Sequence, residues 1–277
     1  MPIATTASID RAPRPFLKWA GGKGQLLAQY QQHFPADYST YYEAFLGGGA
    51  VFFALQPSRA VLTDVNPALV NVYRCIQSDV EAVIDLLANY QQRHNQEHYY
   101  QIRSTVGKTE IEQAARFIYL NRTCFNGLYR ENSKGEFNVP IGRYKNPRIC
   151  YPDLLRSASA ALRSVQLAVR SFEAVLESAT AQDFVYFDPP YYPISQTSRF
   201  TAYSRFAFTE QSQIQLRDAF AALAKRGVHV MLSNSDCEFI RDLYAGFHIH
   251  TIAASRAINC NAKRRGKITE LLITSYS

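Results

Sequence analysis

The chain has 277 residues, 47% of them hydrophobic and 19% charged, which is enough apolar material for one large core or two modest ones and too much for a disordered chain. Thirty Lys and Arg stand against 23 Asp and Glu, and the resulting +7 favours an anionic partner such as nucleic acid. No apolar run approaches a bilayer span, and five cysteines without a CxxC pair argue against a disulfide framework or zinc knuckle and fit a reducing cytoplasm.

The first fifteen residues have no apolar signal-peptide core and read as a flexible lead-in. Short buried strands are predicted at YYEAFL (41–46) and AVLTD (60–64), with a glycine turn and the helix-compatible AVFFAL between them. A helix follows over 66–76. From about 78 to 121 the chain reads as mainly helical, through DVEAVIDLLANYQQRH and EIEQAARFIYL. A stretch dense in Asn, Gly, Tyr and Arg comes next (121–148), in which Ser133-Lys134-Gly135 turns a hairpin between NGLYREN and EFNVPIG. After a short helix near LLRSASAALRS, strands are predicted at VQLAV, DFVYF, VHVMLS, FHIHTIA and ELLITSY. Between two of these lies TEQSQIQLRDAFAALAKRG, a helix with its cap at Thr209 and its stop at Gly227. No internal repeat interrupts the series. The pattern describes one α/β domain with a parallel sheet, interrupted by a helical insertion of roughly 80 residues.

Four constellations on this framework can carry chemistry. The first is DFVYF running into Asp188-Pro189-Pro190-Tyr191. Neither proline can donate a backbone N–H, so the segment leaves the ladder stiffly and presents its carbonyls at the C-terminal edge of the sheet. A carboxylate and a carbonyl on a rigid frame suit an exocyclic amine, and Tyr191 can stack on a planar ring; a bare Asp-Pro-Pro turn is about as probable on local grounds. The second is Phe45-Leu46-Gly47-Gly48-Gly49, whose glycines permit positive φ and close approach to a ligand, although GxGxxG is absent. The third is Asp64 at the next strand end, an acidic residue placed to bond ribose hydroxyls, or else a helix cap shared with Asn66. The fourth is Phe16 to Lys23, FLKWAGGK. It fails the phosphate-loop spacing at Leu17 and Gly24, yet it sets the single tryptophan, Trp19, near a lysine.

Weaker signals are His94 and His98, at zinc-helix spacing without the glutamate of HExxH and better read as a solvated helix face. His248 and His250 alternate on a half-exposed strand face. The run Lys263-Arg264-Arg265-Lys267 suits a hairpin tip touching phosphates or a solvated turn.

FLKWAGGK, AFLGGGA, Asp64, NGLYR with FNVPIGRY, and DPPY stand in the order found in Dam-type DNA adenine-N6 methyltransferases (D12 class), which the chain resembles from about Phe16 to its last strand. The resemblance implies a Rossmann-like methyltransferase sheet with helices on both faces, formed by 16–69 and 153–277, and a mainly helical target-recognition domain with a β-hairpin at 70–152. It implies S-adenosylmethionine as methyl donor, no metal, and double-stranded DNA as partner. Trp19, Lys23, Phe45, Gly47, Gly49, Asp64 and Asp188 would border the donor. Asp188, Pro189, Pro190 and Tyr191 would form the target-adenine pocket, and Lys18, Asn126, Leu128, Arg130, Pro140 and Tyr144 would meet DNA. Arg130 is the candidate for guanine in the major groove, and GATC is the expected site. A catalytically silent DNA-binding protein and an N4-cytosine methyltransferase stay open as alternatives. Cytosine-C5 chemistry is excluded, since no cysteine follows a proline.

Overall fold

The structure is a computed structural model that describes residues 12–194, 208–254 and 268–277. Among the described residues seven strands form one sheet: β1 (Tyr41–Glu43), β2 (Ala60–Asp64), β3 (Val165–Val169), β4 (Phe184–Phe187), β5 (His229–Ser235), β6 (His248–Ala254) and β7 (Ile268–Thr274). Their order is β3-β2-β1-β4-β5-β7-β6. The first five strands pair in parallel, while β7 runs antiparallel to both β5 and β6. The helices are α1 (Leu27–Tyr30), α2 (Ala50–Leu55), α3 (Pro67–Ser78), α4 (Val80–Arg93), α5 (Gln96–Ser104), α6 (Glu110–Thr123), α7 (Pro152–Leu162), α8 (Val175–Ser178), α9 (Glu210–Lys225) and α10 (Glu238–Leu243). Strands and helices alternate as expected, but the sheet is mixed rather than parallel throughout, because β7 enters between β5 and β6 in the opposite direction; the result is the methyltransferase-like α/β architecture that the family resemblance implies.

Side-chain alternation on the central strand explains the two layers. Successive side chains of a strand point to opposite faces. Phe184 and Tyr186 accordingly join the core beneath α2, α3, α6 and α7, whereas Val185 and Phe187 join the core beneath α9 and α10. All four are buried, so β4 reads as a continuous apolar run rather than an alternating one.

Local chemistry sets the helix ends. The Asn66 side chain accepts from the Ala68 and Leu69 amides with Pro67 in the first turn, so α3 starts where expected. Thr109 with Glu112 and Thr209 with Ser212 form reciprocal caps on α6 and α9. Gly227, at φ +79°, ends the last turn after α9. No described helix is long and apolar enough to cross a membrane.

α3 runs without a break across residue 70. The first core continues from the sheet through Val83, Leu87, Tyr99 and Tyr119 of α4, α5 and α6. The helical insertion therefore has no separate core among the described residues and is packed onto the same body as the sheet. The chain turns at Ser133–Gly135 as expected, with the Asn132 side chain accepting from Lys134 N and Glu136 N. The flanks meet through the isolated bridges Glu131↔Phe137 and Cys124↔Ile141 rather than a regular ladder.

The expectation for His94 and His98 is corrected. They do not share a solvated helix face: His94 ends α4, and His98 lies on α5 behind a new cap at Asn95. His98 is buried against the Tyr90 and Tyr119 rings, and His94 Nδ1 is 2.9 Å from Tyr119 Oη. The i, i+4 rule fails because the helix breaks between them. The basic run 263–267 lies outside the described residues.

Candidate active site

Strand order locates the site. The chain leaves β1 toward β2 on one side, while β4 lies on the other, so the β1 and β4 ends flank the point where the winding reverses. Ligands of open α/β sheets bind in the crevice at that point. The glycine turn after β1 and Asp188-Pro189-Pro190-Tyr191 after β4 both open there.

Asp188 is the centre of the arrangement. Its Oδ1 receives Lys23 Nζ at 2.8 Å and the Ser233 hydroxyl at 2.8 Å. With two donors on Oδ1, the other oxygen has no partner among the described residues. Lys23 also donates to the Gly21 carbonyl at 2.6 Å, and its ammonium lies 4.8 Å from the Tyr191 ring centre. A lysine expected beside the donor thus sits on the carboxylate expected to meet the base. Tyr191 donates its hydroxyl to Glu270 on β7.

The backbone after Asp188 is held from below. Buried Gln213 of α9 donates to the Pro190 carbonyl at 2.9 Å, and the Tyr192 amide donates to Asn234 Oδ1 at 3.1 Å. Asn234 in turn donates to Gln213 Oε1 at 3.0 Å. Buried amides that satisfy one another specify one loop conformation. The Pro189 carbonyl, by contrast, has no partner among the described residues. Gln213, Asn234 and Glu270 were missed by sequence reasoning; the signal was the polar run Ser233-Asn234-Ser235 closing an apolar strand.

The glycine turn is built around Trp19. Gly47 has φ +46°, and a Cβ there would lie 2.8 Å from Trp19 Cδ1. The Gly47 amide donates to Asp64 Oδ2 at 3.2 Å and its carbonyl accepts from Tyr73 Oη at 3.1 Å. Asp64 Oδ1 accepts from the Asn66 amide at 2.9 Å. Asp64 therefore braces the turn, and Asn66 alone caps α3. Burial raises the Asp64 pKa, with the Asn66 and Gly47 amides pulling the other way. Trp19 stacks with Phe117 and Tyr129, and Phe45 turns into the second core against Phe172 and Phe208. At Gly49, φ is +64° and the space for a Cβ is bounded by Tyr73 Oη at 3.2 Å.

A second surface gathers the residues expected at DNA. Lys18 Nζ lies 4.0 Å from the Tyr144 ring centre and donates to the Arg122 carbonyl at 3.3 Å. Asn121 ties Lys18 to the NGLYR loop, donating to the Lys18 carbonyl at 2.7 Å and the Gly127 carbonyl at 3.1 Å. Asn126 takes the left-handed conformation (φ 54°), and Leu128 and Tyr144 leave 40% and 39% of their surfaces exposed. The Pro140 carbonyl accepts the Phe125 amide at 2.9 Å. Arg130 is exposed, with Nε donating to Asn138 Oδ1 at 2.7 Å. No group of three or more His, Cys, Asp or Glu side chains is disposed to hold a metal among the described residues.

Residues 19–258 match the model of the D12 class N6 adenine-specific DNA methyltransferases. A type II methyltransferase of Lactococcus lactis subsp. cremoris, M1.LlaDCHI, is 46% identical over 95% of both chains. The DNA adenine methylase of Vibrio cholerae is 36% identical over 94% of this chain and 95% of its own. That of Escherichia coli K12 is 35% identical over 94% of each. With this match over most of its length, and with a carboxylate and a carbonyl open at the switch point of the sheet, the chain belongs to the D12 class N6 adenine-specific DNA methyltransferase family.

Proposed function

We propose that the chain transfers a methyl group from S-adenosylmethionine to N6 of an adenine flipped out of double-stranded DNA, within GATC. The observation that carries this reading is the pair of open acceptors, Asp188 Oδ2 and the Pro189 carbonyl, on a segment whose Pro190 carbonyl, Tyr191 hydroxyl and Tyr192 amide are occupied.

The residues near Asp64 suit the donor's nucleoside. Asp64 accepts two backbone amides and keeps lone pairs for ribose hydroxyls. Val65 and Val169, at the ends of the paired strands β2 and β3, stay 40% and 43% exposed beside it and suit a purine face. Bound S-adenosylmethionine supplies an electrophilic sulfonium methyl. Trp19, Lys23, Phe45, Gly47, Gly49 and Asp64 are assigned to its side of the crevice, with Trp19 and Phe45 acting through the walls they pack.

The chain's own residues do the rest. Flipping costs a few kcal/mol of lost pairing and stacking. Stacking on Tyr191, held at its hydroxyl by Glu270, returns about 1–3 kcal/mol. Asp188 and the Pro189 carbonyl accept the N6 hydrogens, raising electron density at nitrogen and stabilising its developing positive charge. The rigid loop fixes the direction of attack. Residues 70–152 are assigned as the recognition unit, with Lys18, Asn126, Leu128, Arg130, Pro140 and Tyr144 facing DNA.

Labelled methyl transfer to a GATC duplex beside a GATT duplex tests the proposal. Label on adenine N6 in the first alone is expected, and label in both removes the GATC assignment. Asp188→Ala is expected to lose at least about a hundredfold in turnover with DNA binding retained. Full turnover by that variant overturns the mechanism.

A further inference from the structure

We propose that Ser233, oriented by Tyr186, is a positioning residue that turns the Asp188 carboxylate so that Oδ2 alone faces the target base; the inference rests on the role given to Asp188 above. The register Phe187↔Leu232 carries Asp188 and Ser233 side by side where β4 ends and its pairing with β5 stops. Tyr186 is two residues before Asp188 and shares its face of the sheet. All three polar groups form one chain: Tyr186 Oη lies 2.9 Å from Ser233 Oγ, and Ser233 Oγ lies 2.8 Å from Asp188 Oδ1.

The direction of the protons follows from the chain's end. An ionised carboxylate only accepts, so the Ser233 hydroxyl donates to Asp188. Its remaining lone pairs then accept from Tyr186 Oη at 2.9 Å. Both Tyr186 and Ser233 are fully buried. Burial, with Asp188 next in weight, holds the Tyr186 phenol well above its ordinary range and keeps its proton in place.

The consequence is a fixed carboxylate plane. Lys23 donates to the same Oδ1 and supplies charge, but a single donor leaves the carboxylate free to rotate about its bond to Cβ. Two donors converging on Oδ1 from different elements remove that rotation and saturate this oxygen. The acceptor left for an exocyclic amine is Oδ2. Geometry at a reacting centre is expensive to lose, since a misplacement of about 1 Å costs roughly a hundredfold in rate.

The test compares Ser233→Ala, Ser233→Cys, Tyr186→Phe and Asp188→Ala by single-turnover methyl transfer on a duplex the wild type methylates, with DNA and S-adenosylmethionine affinities measured alongside. Ser233→Ala is expected to lower the transfer rate about ten- to a hundredfold with both affinities within about twofold of wild type. Ser233→Cys, which keeps a weak donor, is expected to fall between the two. Tyr186→Phe is expected to cost a few-fold, and combining it with Ser233→Ala is expected to add nothing, because Tyr186 acts only through Ser233. A purely structural role predicts the reverse: lower thermal stability, additive effects, and a normal rate per folded molecule. Wild-type transfer by folded Ser233→Ala, with Asp188→Ala inactive, overturns this inference and leaves the mechanism standing. Should Ser233→Ala not fold, a wild-type rate for Tyr186→Phe overturns the inference. Turnover by Asp188→Ala overturns both.

Discussion

Lys23 and Asp188 form an ion pair across the mouth of the site, Nζ to Oδ1 at 2.8 Å, with the lysine side chain 3% exposed and the aspartate 22%. The pair ties the Gly-Gly-Lys turn to the end of β4, two segments far apart in the chain. It also sets a cation over the Tyr191 ring. Removing one partner of a fully buried pair is strongly destabilising, but Asp188 is open enough to recover some hydration. Lys23→Met is therefore expected to cost roughly 1–3 kcal/mol of stability in urea unfolding and to depress methyl transfer. An unchanged urea midpoint with unchanged transfer would show that the pair carries neither load.

Gly47 predicts a second cost. An L side chain at its left-handed φ is strained by about 1–2 kcal/mol, and the added Cβ meets the Trp19 indole at 2.8 Å. Gly47→Ala is expected to lower the melting temperature, and Trp19→Phe in the same chain to return part of the loss by clearing the contact. Thermal unfolding of the two single variants and the double variant separates backbone strain from the clash. If the pair is strictly additive, the contact with Trp19 is not the cause.

Glu43 makes stability pH-dependent. Burial pushes its carboxyl up to about 8, against hydrogen bonds from Tyr41 Oη (2.8 Å) and the Phe52 amide (3.1 Å) to Oε2. The folded pKa lies above the unfolded one, so between about 4.5 and 8 the native state holds the extra proton. Its contribution is complete below the unfolded value and is lost as pH rises through the folded one. Glu43→Gln is expected to flatten this slope in urea unfolding measured from pH 4.5 to 8, remaining folded because an amide needs no charge buried. Parallel pH profiles for the two proteins would exclude Glu43 as the source.

Arg130 is expected to read a base. Asn138 holds its Nε, and Nη1 has no partner among the described residues. Arg130→Ala is expected to relax discrimination at one base pair of the site by about 1–3 kcal/mol, with little change elsewhere. Methylation rates on the single-substitution variants of GATC check this; a uniform loss across all duplexes would mark Arg130 as a phosphate contact instead.

Much of the site was legible in the chain because its chemistry is local. Two prolines after an apolar strand must leave the ladder, so the exit at Asp188-Pro189-Pro190-Tyr191 follows from backbone geometry alone. Asn66 before Pro67, and Thr209 with Gly227, mark helix ends for equally local reasons. Asp64 was half legible: its place at a strand end was evident, but its grip on the Gly47 amide was not. His94 and His98 show the limit, since their spacing is meaningful only if one helix carries both, and Asn95 starts another.

The sequence by itself determined the α/β alternation, the stiff strand exit, the glycine turn and the order of motifs that marks the family, because each rests on periodicity or on the permitted dihedrals of neighbouring residues. Only the tertiary structure decided that Lys23 and Ser233 share one oxygen of Asp188, that Trp19 fills the space over Gly47, and that the helical insertion packs into the same core as the sheet. Those facts join residues brought together by the crossing of strands and helices, and no local spacing carries the distance or direction of such a contact.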